Sequence, residues 1–173
     1  SIDRSPRAEV AEFIESELLA VLDKLPTEVN EANYGKPTRW MAEALLAKLY
    51  INWAVYTSSN VADYTPSATN LKLNDVSKYF DDIISSGNFN LTDSYLSKFY
   101  PENGYKIKDF IYVMPYDRQN QQGMTYARFW THRSAQKGFY GVDLPNSVGG
   151  NWRMLPEFVD KFCLTGDDRN GQI

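Results

Sequence analysis

Cysteine and histidine are almost missing from this chain: Cys163 and His132 stand alone. One thiol cannot close an intrachain disulfide, and with a single imidazole neither a cysteine-based nor a multi-histidine metal site can be assembled. Cys163 sits in the apolar run 158–164 and reads as a buried core thiol rather than a nucleophile. No stretch approaches the ~20 apolar residues of a membrane-spanning helix. A basic excess is also lacking. The formal charge of -4 supplies no concentrated cationic footprint, so nucleic acid is not an expected partner. Two pairs of adjacent carboxylates are present, Asp81-Asp82 and Asp167-Asp168. Adjacent helical side chains diverge by about 100 degrees, whereas glycoside hydrolysis needs two carboxyls facing one bond at ~5 to 9.5 Å. Solvation or capping explains both pairs, and neither a catalytic residue nor a cofactor is expected.

Aromatic rings are what the chain has in quantity: 12 Tyr, 9 Phe and 4 Trp make up 14% of it. Rings serve equally as core packing and as flat apolar platforms. Helical periodicity appears in three places. Ser5 as N-cap and Pro6 at the first helical position open a helix expected over 7–25, ended by Pro26. Val10, Phe13, Ile14, Leu18, Val21, Leu22 and Leu25 form its apolar stripe, with Glu9, Glu12, Glu15 and Glu17 on a solvated face.

A second helix over 38–56 sets Ala42, Leu45, Leu49, Trp53 and Tyr56 at steps of three and four. Ala44, Ala47 and Ala54 leave room for a neighbouring helix, and Trp40 and Trp53 read as packing residues. A third helix over 75–86, capped by Asp75, turns Val76, Tyr79, Phe80 and Ile83 inward, and Gly87 supplies the left-handed stop. The second and third helices should form an antiparallel hairpin, their starts about 34 residues apart, the length of a tetratricopeptide repeat.

The wording Thr38-Arg39-Trp40-Met41-Ala42-Glu43-Ala44-Leu45-Leu46-Ala47-Lys48-Leu49-Tyr50-Ile51-Asn52, followed by Ile83-Ile84-Ser85-Ser86-Gly87-Asn88-Phe89-Asn90-Leu91, resembles SusD/RagB-type proteins. These are outer-membrane nutrient-binding lipoproteins of glycan-foraging bacteria. The preceding stretch from Arg7 to Leu18 resembles the helix that comes before this segment in the family. The later order of Tyr and Phe leading to Phe110-Ile111-Tyr112-Val113-Met114-Pro115 resembles the family's next strand. Asp167-Asp168-Arg169 is similar to the family's Asp-Pro-Arg segment, with Asp168 in place of the proline.

The resemblance implies a mainly α fold: tetratricopeptide-like helical repeats with long irregular loops and minor β. It implies one region over 1–173, with a helical repeat over 5–92 and a loop-rich ligand-binding part over 93–173, as an internal portion of a longer protein. It implies a non-catalytic protein of the outer membrane, surface-exposed or facing the periplasm. Such a protein holds an oligosaccharide for a SusC-like TonB-dependent transporter and meets the membrane only through a lipid anchor absent from this chain.

The residues place the expected ligand surface in the second half. After a short helix or turn over 93–100 and a short strand near 110–113, the chain from Arg118 to Trp152 loses periodicity and becomes rich in Gln, Asn, Gly and Ser. There Tyr126, Phe129, Trp130, Phe139, Tyr140 and Trp152 alternate with Arg128, Arg133, Asn146, Asn151 and Arg153. Sugar binding needs both types, a ring for the apolar C–H face and planar amide or guanidinium groups for paired hydroxyls. Phe129 and Phe139, lacking a polar handle, read as core. The ligand-binding candidates are therefore Trp130, Tyr140, Asn151, Trp152 and Arg153, with Trp152 at a loop exit before a helix containing Pro156, Phe158, Val159 and Phe162. The alternative is a helical-repeat scaffold that docks a peptide or protein.

Overall fold

Pro26, Asn52 and Gly87 punctuate the helical half of the chain, and each stop has a local cause. The computed structural model describes residues 3–60, 62, 70–92, 94–100, 102–117, 119–121, 155–162 and 165–167. Helix α1 spans Arg7–Val21 and continues as a 3₁₀ turn over Leu22–Lys24. Pro26 biases the residue before it away from helical geometry, and Leu25 is accordingly extended at φ -78, ψ 144. The helix starts one residue later than the expected cap. Pro6 is the N-cap, its carbonyl accepts the Val10 amide at 3.2 Å, and no side chain caps the first turn.

Helix α2, Arg39–Ile51, begins as expected at Thr38, whose Oγ1 accepts the Met41 amide. It does not run unbroken to Tyr56. Asn52 interrupts it, and α3 follows over Trp53–Thr57. Two asparagines produce the break by competing for backbone groups. The Asn52 side-chain amide donates back to the Lys48 carbonyl, and Asn70 Nδ2 donates to the Tyr50 carbonyl at 2.8 Å.

Helix α4 occupies Leu73–Ser85. It starts two residues before Asp75, which therefore lies in the first turn rather than at the cap. Asn70 shapes the entry instead, its Oδ1 accepting the Lys72 amide at 3.0 Å. Gly87 ends the helix at φ 68, the left-handed conformation its lack of a Cβ permits.

The described residues are mainly α-helical and contain no strand. The short strand expected near 110–113 is irregular, with bends at Ile111 and Tyr112. Asn90 N–H donates to the Lys108 carbonyl at 3.2 Å as a strand pair would, but the Asp109 carboxylate takes the Thr92 amide at 2.9 Å. A side chain thus replaces the carbonyl that would have continued a ladder. Further on, Pro115 lies against Gly35, which has φ 79, and a Cβ on Gly35 would stand 2.6 Å from the proline Cδ. The chain after the helices is thereby pinned to the loop before α2.

Helix α2 is the centre of the first unit, Ser1–Pro115. It buries Ala42, Glu43, Leu46, Ala47, Leu49 and Tyr50. Against it α4 sets Val76, Tyr79 and Ile83, with the Tyr50 and Tyr79 rings 6.0 Å apart. The start of α4 meets the end of α2 through Asn70 and Tyr50, while the charge of Asp82 near its other end acts on Arg39. The pair is antiparallel. Helix α1 also runs antiparallel to α2. Arg7 reaches the Tyr56 and Ser58 carbonyls past α3, whereas Asp23 pairs with Arg39.

The buried face of α1 is not the expected stripe. Ala11 is buried and Leu18 and Leu22 pack against the core, whereas Val10, Phe13 and Ile14 are 43%, 63% and 40% exposed. Helix α1 approaches on its small Ala11, and its seven apolar positions cover more of the circumference than one neighbour can bury. On α2 the same shift leaves Leu45 42% exposed and Leu46 wholly buried. Phe80 on α4 is likewise exposed.

Rotating α1 brings Glu15 inward, correcting its assignment to the solvated face. Tyr50 Oη donates to Glu15 Oε1 at 2.6 Å, and Lys72 Nζ lies 2.5 Å from the same oxygen. Lys72 also stands over the Tyr50 and Trp53 rings. Burial raises the Glu15 pKa, but the Lys72 and Tyr50 hydrogen bonds and the lysine charge outweigh it and leave the group below its ordinary 4.5. Burial and the Glu15 partner together raise the Tyr50 phenol.

A carboxyl depressed on folding contributes stability above its unfolded pKa and loses it as pH falls through the folded value. Glu15→Gln is therefore expected to be less stable than the parent chain at about pH 7, the gap closing by about pH 3. Urea unfolding at both pH values measures this, and a gap independent of pH would refute the ion pair.

The second unit, Tyr116–Ile173, is described only in pieces. Asp117 closes a turn by accepting the Gln119 and Asn120 amides at 2.7 and 2.5 Å, bonds that hold its carboxyl below the usual range. The helix expected around Pro156 is present as α5, Pro156–Val159, with proline in its first turn, and continues as a 3₁₀ turn over Asp160–Phe162.

Candidate functional site

Trp130, Tyr140, Asn151, Trp152 and Arg153 all lie outside the described residues, as do His132 and Cys163. Within them, the aromatic surface worth building up is the irregular stretch after α4.

Ser94 starts it by accepting the Ser97 amide and hydroxyl, which winds Tyr95–Phe99 into 3₁₀ turns. Side chains four apart on such a short coil lie close, and the Tyr95 and Phe99 rings meet at 5.3 Å between centroids, tilted by 56°. No described helix covers them. Tyr95 is 54% and Phe99 66% exposed, and Tyr100 next to them is also exposed.

The ring pair is held by an ion pair behind it. Lys98 Nζ lies 5.1 Å from the Tyr95 ring centre and 2.6 Å from Asp109 Oδ1. That Asp109 oxygen is buried, and the Lys98 ammonium is its close partner. Asp109 Oδ2 accepts the Thr92 amide, and Lys98 foremost keeps the carboxyl below its ordinary value. Asn103 Nδ2 donates to the Lys98 carbonyl, closing the loop over the turn. A second cation, Lys108, sits 4.3 Å from the Tyr105 ring.

The arrangement presents exposed ring faces and edges, held from behind by a largely buried ammonium–carboxylate pair whose side chains are 18% and 6% exposed. It can stack an apolar face and donate or accept hydrogen bonds around it. From the sequence, 93–100 reads only as a short helix or turn, with no role for its rings. A signal was available: Tyr95, Phe99, Tyr100, Tyr105, Phe110, Tyr112 and Tyr116 follow one another through a stretch without helical periodicity, so no apolar stripe exists for them to join.

Trp40 and Trp53 pack as the sequence implied, though neither is fully buried. Trp40 Nε1 donates to the Thr27 carbonyl at 2.9 Å, and Trp53 meets Tyr50 edge-on at 5.9 Å. Among the described residues no group of three or more His, Cys, Asp or Glu side chains could hold a metal ion, and no helix is long and apolar enough to cross a membrane. Comparisons with protein-family models, curated proteins and solved structures gave no match to this chain.

Proposed function

We propose that this chain is part of a SusD/RagB-type binding protein that holds an oligosaccharide without cleaving it. The observation that carries the reading is the half-exposed Tyr95–Phe99 ring pair backed by Lys98 and Asp109. Rings of this kind cover the C–H face of a sugar, and the Tyr95 phenol at their edge can meet its hydroxyls, while Lys98 and Asp109 hold the rings in place. The antiparallel α2–α4 hairpin supports the reading, because it follows the wording that resembles the family. In this proposal Trp130, Tyr140, Asn151, Trp152 and Arg153 extend the ligand surface. A SusC-like TonB-dependent transporter receives the sugar, and the protein works at the outer membrane through a lipid anchor.

Titration calorimetry across a panel of soluble glycans, with chromatography of the mixtures afterwards, tests it. Binding is expected to be weak, since each contact replaces hydration of the free sugar at a net gain of about 1 kcal/mol. Tyr95→Ala with Phe99→Ala should weaken it by roughly tenfold, about 1.4 kcal/mol, while leaving the helical circular dichroism unchanged. Shortened glycan products would make the protein an enzyme. Silence across the panel with clear peptide binding would make it an interaction scaffold.

A further inference from the structure

Two of the apolar residues that α1 leaves exposed, Val10 and Ile14, share one face with the half-buried Leu18, whereas Phe13, Leu19 and Val21 lie off it. Val10, Ile14 and Leu18 form one wall of an open groove of about 830 Å³, and Leu45, Leu49 and Tyr56 form the other. Val10, Ile14 and Leu18 recur every four residues along α1, and Leu45 and Leu49 do so on α2 with Tyr56 beyond them on α3, about 6 Å per step, which is the spacing at which one more helix presents its own apolar side chains. The core already contains α4 on the other side of α2, so the groove is the face of the α1–α2 pair that no described element covers.

The charged side chains that line it are of one sign. Arg4, Arg7 and Lys48 line the groove and no Asp or Glu does, in a chain whose 22 acidic residues outnumber its 18 basic ones. Arg7 spends its hydrogen bonds on the Tyr56 and Ser58 carbonyls, neutral groups at the end of α3, so its positive charge is not cancelled there. Arg4 and Lys48 are exposed.

We propose that this groove docks an acidic amphipathic helix of a partner protein. Its apolar side chains at i, i+3 or i+4, and i+7 seat between α1 and α2, and carboxylates on its flanks meet Arg4, Arg7 and Lys48. The inference does not depend on sugar binding, since the groove and the Tyr95–Phe99 pair share no residue.

Three labelled synthetic helices test it by fluorescence anisotropy: one with Leu at those spacings flanked by Glu, a scrambled form, and one flanked by Lys. The intact chain should bind the acidic helix at least tenfold more tightly than the other two, with affinity falling as salt rises. Arg4→Glu combined with Lys48→Glu should weaken the acidic helix about tenfold and strengthen the basic one. Both positions are exposed and Arg7 is left in place, so the helical circular dichroism and melting curve of the variant should match the parent and report on folding separately. Equal binding of acidic and basic helices, or no binding by a chain shown to be folded, would overturn the proposal. So would sedimentation showing that the chain dimerises through this face and that the two charge reversals abolish the dimer.

Discussion

Leu46→Ala is expected to remove about 3 to 5 kcal/mol from the stability of the helical unit, one of the two largest effects of any single substitution here. Leu46 is wholly buried on α2, in one cluster with Ala11, Tyr50, Val76 and Tyr79. Truncation there loses the transfer free energy of the side chain and leaves a cavity walled by α2 itself and its neighbours, which cannot collapse from several sides at once. Domains are stable by only about 5 to 15 kcal/mol, so the loss is a large share of the total and should lower the melting temperature by more than about 10 °C. Leu45→Ala, one residue earlier, is the control. Leu45 is 42% exposed and lines the open groove, so its truncation should cost under about 1 kcal/mol. Denaturant unfolding of both variants decides it, and similar losses would mean that α2 is turned differently from the way described.

Arg39→Ala should cost about 2 to 4 kcal/mol for a different reason. Arg39 Nε donates to Glu43 Oε1 at 2.8 Å one helical turn away, and the Glu43 side chain has no exposure. Its other oxygen, Oε2, is buried without a hydrogen-bond partner among the described residues. The guanidinium is therefore the principal compensation for a carboxylate held out of water, and the Glu43 hydrogen bond in turn keeps Arg39 firmly protonated. Taking the arginine away leaves that charge buried, while the third of Arg39 that remains exposed brings the cost below that of a fully buried pair. Asp23→Ala, which removes the other carboxylate near Arg39, should cost less than about 0.5 kcal/mol because Asp23 is 90% exposed. Arg39→Met with Glu43→Leu should recover most of the loss, since an apolar pair needs no charge compensation. A thermodynamic cycle through these variants measures the coupling, and additive effects would refute it.

Features that depend on a few neighbouring residues were legible in the sequence. Thr38 accepts the Met41 amide, Pro26 turns Leu25 extended, and Gly87 takes φ 68, each through bonds or sterics confined to its own turn. The candidate site was less legible. Tyr95 and Phe99 are exposed because no described element covers their coil, and their orientation depends on Lys98 meeting Asp109 across eleven residues.

The sequence by itself determined three main helical segments, the stops at Pro26 and Gly87, and the antiparallel hairpin of the second and third, whereas the expected caps Ser5 and Asp75 are not the ones the helices use. Periodicity and capping act over a single turn, so they need no knowledge of what lies opposite. Only the tertiary structure decided which side of each helix is inside. Ala11 rather than Phe13 faces the core, Leu46 rather than Leu45 is enclosed, and Glu15 and Glu43 lie inward with Lys72 and Arg39 as their partners. The same holds for the break at Asn52, to which Asn70 contributes from eighteen residues away. A helix rich in apolar residues offers several faces of similar hydrophobicity, and the choice among them belongs to the shape and charge of the neighbours that pack against it.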